Sequence, residues 1–317
     1  MKEKSIFSKP WCLTLLALLC CALWGSATPF IKIGYELVLP PERDVASTIL
    51  FAGIRFTLAG ILTIAIFSIA RRKFLLPKKE NLTRVGIVSI FQTIVQYIFF
   101  YLGLANTSGV KGTVISGGSV FFAILISSLI FRQEKLTVKK IVACVVGFAG
   151  IVVVNLSGLE PNVNIGDVYV LLSTISLAVS SVLIKRFSAH EDPVVISGYQ
   201  FIVGGAVMCV GALCFGGKVY LGDIRGILVL LYLALLSAVA YSVWGILLKY
   251  NPVSRVTVFT FMTPVFGVLL SLLLLTENST VKPINLILCL VLVCAGIFIL
   301  NYQKEKKEAQ RGESSDK

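Results

Sequence analysis

The heptapeptide IRFTLAG at residues 54–60 has a counterpart in YQFIVGG at residues 199–205. A second pair, AGIVVVN at residues 149–155 and AGIFILN at residues 295–301, repeats the pattern at the end of each half. The members of the two pairs are 145 and 146 positions apart, and all four stretches are mainly apolar. The sequence therefore predicts two related halves, and this internal repeat decides the fold.

Shorter matches keep the same order along both halves. They are Ile31-Lys32 with Ile184-Lys185, Tyr97 with Tyr241, and Glu134-Lys-Leu-Thr137 with Glu277-Asn-Ser-Thr280. Their spacing stays between 143 and 153 residues, so the alignment holds over most of the chain.

Working outward from the repeat, ten stretches are long and apolar enough to cross a bilayer, which takes about 20 residues. They are Trp11–Lys32, Ala46–Ala70, Thr83–Leu104, Val110–Phe131, Val138–Asn155, Gly166–Lys185, Pro193–Phe215, Arg225–Leu248, Val256–Leu275 and Pro283–Tyr302. Hydrophobic residues make up 56% of the chain and charged residues 14%. Soluble domains average about 25% charged residues, so the composition excludes a soluble enzyme, a disordered protein and a nucleic-acid binder.

The net charge of +13 comes mainly from Lys and Arg in alternate loops. Cytoplasmic loops of membrane proteins carry this excess. The pattern predicts a multi-pass protein of the cell membrane with both termini in the cytoplasm and residues 36–44 outside. We divide the chain into a cytoplasmic N-terminus (1–10), a first five-helix repeat (11–155), an outer linker (156–165), a second repeat (166–302) and a disordered cytoplasmic tail (303–317).

Five spans per half is an odd number, so the second half enters the membrane from the opposite side. The prediction is an all-α integral membrane protein of ten helices in two inverted five-helix repeats. Such repeats are typical of secondary transporters, because two equivalent packings can open to either side of the membrane.

Several motifs resemble those of the EamA-type members of the drug/metabolite transporter superfamily. They are WGSATPFIKIG (24–34), IRFTLAG (54–60), YLGLANTSGVKGTVI (101–115), RQEKLT (132–137) and TPVFGVLLSLLLLTE (263–277). The resemblance implies ten helices around a central cavity and export of amino acids or other small metabolites. The fourth span departs from the family pattern, because Ser119-Val120-Phe121 stands where a proline is expected.

Arg55 is the most informative single residue. It lies nine residues into the second span, about 14 Å deep at a rise of 1.5 Å per residue. A charge near the midplane costs about 3 kcal/mol on insertion scales, so Arg55 needs a wet cavity or a polar partner. Two roles are open: an anchor for a substrate carboxylate, which the planar guanidinium suits, or a structural or gating residue held by backbone carbonyls, Gln or Tyr.

Other polar and aromatic side chains recur at helical spacing and are candidates for the wall of a binding cavity. Together with Arg55, the predicted substrate-binding residues are Trp24, Thr28, Gln92, Gln96, Tyr97, Tyr101, Ser116, Gln200, Tyr241 and Trp244. The structural alternatives are close helix packing for Ser and anchoring at the membrane surface for Tyr or Trp near a span end. The amides of Gln92, Gln96 and Gln200 are costly in lipid unless they are paired, which favours a cavity for them. Pro29 and Pro264 are predicted hinges.

Asp167, at the outer edge of the sixth predicted span, is the one acidic residue within the spans, so the usual carboxylate relay of a proton-coupled carrier is missing from the membrane interior. Uniport, exchange and coupling through an edge carboxylate such as Asp167 all stay open, as do import and export. The sequence has no P-loop and no zinc-site spacing, so we expect no cofactor, metal site or catalytic residue.

The predicted function is a secondary transporter that moves a small metabolite, such as an amino acid or related amphipathic solute, outward by alternating access. The alternatives are a membrane enzyme or lipid-handling protein, and a non-transporting partner subunit. We expect a small-molecule substrate and membrane lipids as partners, no nucleic acid, and a monomer or homodimer.

Overall fold

A computed structural model describes residues 5–42, 44–156, 162–274 and 283–302. In these ranges the chain is helical, and ten helices are long and apolar enough to cross a membrane. They are α1 (Pro10–Val38), α2 (Val45–Ala70), α3 (Lys79–Asn106), α4 (Gly109–Ile130), α5 (Val138–Asn155), α6 (Ile165–Phe187), α7 (Pro193–Cys214), α8 (Ile224–Tyr250), α9 (Val253–Leu274) and α10 (Pro283–Asn301). The ten predicted spans are confirmed, and the predicted disordered tail lies outside the described residues.

The first helix is longer than the sequence suggested. It continues past Lys32 to Val38, because Tyr35, Leu37 and Val38 pack into an apolar cluster with Phe51. Pro29 is buried inside this helix without ending it. The free energy gained by packing these last turns exceeds the cost of continuing the helix past Lys32, where we predicted that the span ends.

Three helices change their winding along the way. In α3 a π-helical stretch covers Ile90–Val95, and in α4 another covers Ile126–Ile130. In α9 a 3-10 turn at Val258–Phe261 precedes Pro264. Although α4 lacks the proline typical of the family, its α-helix is still interrupted, at Gly118. Such irregular turns are frequent at functional sites and hinges.

The helices pair symmetrically between the halves. The most extensive contacts join α2 with α7 and α5 with α10, which are equivalent helices. The α1–α8 contact has its counterpart in α3–α6, and the α1–α9 contact has its counterpart in α4–α6. The largest contacts are therefore unchanged when each helix is exchanged for its equivalent in the other half.

Small residues allow α2 and α7 to approach closely. A Cβ added to Gly60 would lie 2.5 Å from the carbonyl oxygen of Gly198, and one added to Gly205 would lie 2.5 Å from the backbone nitrogen of Thr57. Gly60 and Gly205 are equivalent positions of the aligned heptapeptides. Glycine permits such close backbone contact between membrane helices.

Both described ends of the chain lie at the same end of the helix bundle. The Asn251 side chain, after α8, donates a hydrogen bond to the Phe7 carbonyl at 2.9 Å. The Arg255 Nε donates to the Asn301 side chain, where α10 ends, at 3.0 Å. We call this the basic end, formed by residues 71–81, 131–137, 188–192 and 251–255, and the other the opposite end, formed by residues 39–42, 106–111, 162–167 and 215–223.

Candidate functional site

Equivalent aromatic residues of the two halves meet in the middle of the bundle. The rings of Phe56 and Phe201 stack with centroids 5.1 Å apart and an interplanar angle of 8°. The hydroxyls of Tyr97 and Tyr241 are hydrogen bonded at 2.6 Å. Both pairs were aligned by the sequence repeat, so the structure brings the aligned positions into contact.

The first helix adds an indole to this group. The Trp24 ring meets those of Tyr241 and Trp244 at centroid distances of 5.2 and 4.9 Å. Tyr101 lies 6.2 Å from Tyr97, measured between centroids. We define the central cluster as Trp24, Phe56, Tyr97, Tyr101, Phe201, Tyr241 and Trp244.

Arg55 lies against the central cluster and is 4% exposed. Its guanidinium carbon is 4.3 Å from the ring centre of Phe56 and 6.0 Å from that of Tyr97. From the sequence we expected water or polar groups around the Arg55 guanidinium, whereas in the structure aromatic rings surround it. Cation–π attraction, about 2 kcal/mol or more when desolvated, offsets part of the burial cost.

The guanidinium keeps unused hydrogen-bonding capacity. Its Nε and Nη1 are buried and have no hydrogen-bond partner among the described residues. The Nε1 of Trp24 is likewise a buried donor without a described partner. A buried cation with unpaired donors favours an anion, and a carboxylate fits the guanidinium in a bidentate arrangement.

Gln200 occupies the position equivalent to Arg55 in the second half, and it has a partner. Its side-chain oxygen accepts a hydrogen bond from Thr93 at 2.5 Å, within the π-helical stretch of α3. Gln92 and Gln96 are buried on the same helix, and each has a side-chain oxygen without a described partner. The irregular turn of α3 thus carries Gln92 and Thr93, and Thr93 holds the side chain of Gln200 on α7.

Two predicted site residues do not join the cluster. Among the described residues no hydrogen bond or ring contact connects the side chain of Thr28 or Ser116 to it. Thr28 is exposed and lies near Gly267 of α9, and Ser116 is partly exposed on α4. Pro264 follows the 3-10 turn of α9, in a position suited to bending, while Pro29 lies in an unbroken helix. Their hinge roles stay predictions.

The basic end is closed by a carboxylate between the halves. Glu134, which follows α4, accepts hydrogen bonds from the backbone and hydroxyl of Ser254 at 3.0 and 2.5 Å and from Ser127 at 2.8 Å. It also forms an ion pair with Lys140 at 2.8 Å. Burial raises the pKa of Glu134, but these hydrogen bonds outweigh burial and hold the pKa below its ordinary value.

The opposite end has its own ion pair. Lys111 at the start of α4 contacts Asp167 at 2.7 Å, and both side chains are more than nine-tenths buried. Asp167 also forms a capping box with Asn164 at the start of α6 and accepts a hydrogen bond from Thr107. Asp167 is therefore engaged in holding α4 and α6 together.

Sequence reasoning missed several residues of the site. Phe56 and Phe201 stood at matching positions in the aligned heptapeptides, so the repeat carried the signal for them. Thr93 carried no signal, because its contact with Gln200 depends on the π-helical winding of α3. Glu134 was seen only as part of an aligned motif, and its bond to Ser254 spans 120 residues.

The chain matches the model of the EamA-like transporter family twice, over residues 12–156 and 164–302. A protein of Archaeoglobus fulgidus described as an uncharacterized transporter is 28% identical over 280 residues, covering 87% of this chain and 94% of that protein. A chloroplastic WAT1-related protein of Arabidopsis thaliana is 23% identical, covering 88% and 67%.

A solved crystal structure has the same fold. It superposes with a TM-score of 0.72 at 19% sequence identity, covering 90% of this chain and 97% of that one. At this identity the likeness supports the ten-helix fold and nothing finer.

Proposed function

We propose, from the premise that this chain belongs to the EamA-like transporter family, that it is a secondary carrier for a small solute bearing a carboxylate. The chain is a multi-pass membrane transporter, as its family and its ten spans indicate. The proposed cargo is an amino acid or a related amphipathic metabolite, and the proposed direction is out of the cell.

One observation carries the proposal, namely the buried Arg55 with unused donors beside the central cluster. An unpaired cation at this depth costs about 3 kcal/mol on insertion scales, and a bound carboxylate would offset that cost. The aromatic rings around it suit the apolar part of an amphipathic solute. In this structure the rings of the central cluster are in contact with one another. The central cavity that the family implies is therefore part of the proposal.

Two features support alternating access. The largest helix contacts are symmetric under exchange of the halves, which is what an axis in the membrane plane would produce. The family model also matches each half separately. Inversion of the halves follows from five spans in each, and with it the possibility of two equivalent packings that open to opposite sides.

Coupling through Asp167 is not part of the proposal. Asp167 is paired with Lys111 and caps α6, so it has a structural role that accounts for its burial. We propose exchange or facilitated movement down the solute gradient as the simpler mechanism.

The test is efflux of labelled amino acids from vesicles containing the purified chain, compared with empty vesicles. Each amino acid is paired with its carboxamide, which lacks the carboxylate. We expect Arg55→Ala to slow efflux of the acid about a hundredfold, since two charge-assisted hydrogen bonds contribute about 1.5 kcal/mol or more each.

Arg225→Ala is the matched control, because Arg225 is 74% exposed and pairs with Asp223 at the surface. It should transport like the wild type. Efflux from wild-type vesicles no faster than from empty ones, across a broad metabolite panel, would contradict the carrier proposal. Equal efflux of acid and carboxamide would contradict the role of Arg55.

A further inference from the structure

A pocket of about 310 Å³ lies at the basic end, between the start of α5, the turn from α8 to α9, and the end of α10. Four basic residues line it: Lys135, Lys139, Lys140 and Arg255. We call it the basic pocket. The transport proposal makes no use of it.

Among the described residues that line the basic pocket, basic side chains outnumber carboxylates four to one. Its carboxylate, Glu134, is engaged by Lys140 and by the backbone and hydroxyl of Ser254. Lys139, from the first half, and Arg255, from the second, both line the pocket.

Exposed apolar side chains lie next to the pocket, where the acyl chains of a bound lipid would pack. On α5, Val138 is 77% exposed, and Ile141, Val142 and Val145 are exposed as well. On α10, Phe298 and Tyr302 are exposed near the pocket-lining Leu300. A basic site at the membrane surface next to exposed apolar helix faces suits a headgroup phosphate with acyl chains below it.

A second pocket at the same end differs in charge. It has a volume of about 240 Å³, and its lining includes Lys78 and Lys249 together with Glu191 and Asp192. The carboxylates balance the lysines there. Both pockets therefore lie at the basic end, but the excess of basic lining residues is found in the basic pocket.

We propose that the basic pocket binds the headgroup phosphate of an anionic phospholipid, with Lys135, Lys139 and Arg255 as its cationic contacts. Lys139 belongs to the first half and Arg255 to the second, so the phosphate would bridge the two halves beside Glu134 and Ser254. Bound lipid would then stabilise the closed basic end. The site does not depend on which solute the chain carries.

The experiment is a titration of the purified full-length chain in detergent with phosphatidylglycerol, followed by native mass spectrometry to obtain the dissociation constant of the first lipid. Lys135→Gln combined with Lys139→Gln should weaken this binding about 20-fold, since each basic residue near an anionic membrane surface contributes about 1 kcal/mol, or roughly fivefold. Lys78→Gln combined with Lys249→Gln is the matched control and should weaken it less than about twofold.

Two further ligands, the zwitterionic lipid phosphatidylcholine and the soluble glycerol 3-phosphate, distinguish the possible sources of the phosphate. Phosphatidylcholine should bind at least about tenfold more weakly than phosphatidylglycerol and be insensitive to the substitutions. Competition by millimolar glycerol 3-phosphate as strong as that by phosphatidylglycerol would overturn the lipid in favour of a soluble phosphate. Equal losses in both double variants would show general surface attraction and overturn the site, as would no loss in either. Thermal unfolding of each variant checks that it is folded.

Discussion

Residues 251–260 and 106–115 occupy equivalent places in the two halves, yet they pack differently. At the basic end, Val253, Val256 and Val258 are fully buried and Ser254 is 1% exposed. At the opposite end, Gly109 is exposed and residues 113–118 are all partly exposed. The two stretches thus differ in burial although they occupy equivalent positions. A closed basic end and a more open opposite end would produce this difference.

The equivalent lysines of the two halves differ in exposure, since Lys185 is partly buried and Lys32 is exposed. Lys185 donates hydrogen bonds to the carbonyls of Leu248 and Asn251 at 2.9 and 2.6 Å, joining α6 to the end of α8. Lys32, its equivalent on α1, is exposed. Among the described residues, α6 and α8 touch each other over a small area, and the equivalent helices α1 and α3 have no contact of comparable size. The comparison teaches that the asymmetry lies in how the helices pack.

The largest effect is expected from Lys185→Met. This change removes two charge-assisted hydrogen bonds at the closed end, about 1.5–3 kcal/mol each. We expect the basic end to open, and a cysteine placed at Val256 to react with a maleimide about a hundredfold faster, in a background without the exposed Cys214 and Cys294.

Lys32→Met is the matched control, at the equivalent position of the other half. It should leave the reactivity of the Val256 site unchanged. If both substitutions accelerated labelling equally, the difference between the two ends would not come from the lysine contacts.

A smaller effect is expected from Asp167→Asn at the opposite end. The substitution leaves the buried Lys111 without its ion pair and weakens the cap of α6. We expect a loss of about 1–3 kcal/mol and a melting temperature lower by about 3–6 °C in a thermal unfolding scan. The variant should have the same pH profile of transport as the wild type, and a changed profile would return Asp167 to a coupling role.

The smallest effect concerns the pH dependence of the closed end. Because the folded-state pKa of Glu134 is below its ordinary value of 4.5, its stabilisation is present above that value and is lost as pH falls through the folded-state pKa. We expect wild type to melt above Glu134→Gln at pH 7 and this difference to shrink below about pH 4.5. A difference that stayed constant down to pH 3 would contradict the assignment.

Much of the fold could be predicted from the sequence, because hydrophobic length and the internal repeat are local signals. The same repeat aligned Phe56 with Phe201 and Tyr97 with Tyr241, and the structure pairs both. The sequence could not give the π-helical winding that places Thr93 against Gln200, since that winding depends on packing between helices. Nor could it show that Phe56 covers Arg55, which depends on the side-chain rotamers of these two neighbouring residues.

The sequence also could not predict which of the two ends is closed. Residues 106–115 and 251–260 lie at the starts of the equivalent helices α4 and α9, and their burial differs because of the partners around them. Differences of this kind are conformational, and a repeat in the sequence predicts their possibility without choosing which end is closed.

The central claim is that solute passes only when the basic end can open, and cross-linking across that end tests it most directly. Glu134→Cys and Ser254→Cys would be joined by a short bifunctional methanethiosulfonate in the chain lacking Cys214 and Cys294, with Glu134→Cys alone as control. We predict that efflux falls below about a tenth of the untreated rate and returns after reduction, while the control is unaffected. Unchanged efflux through the cross-linked chain would contradict alternating access.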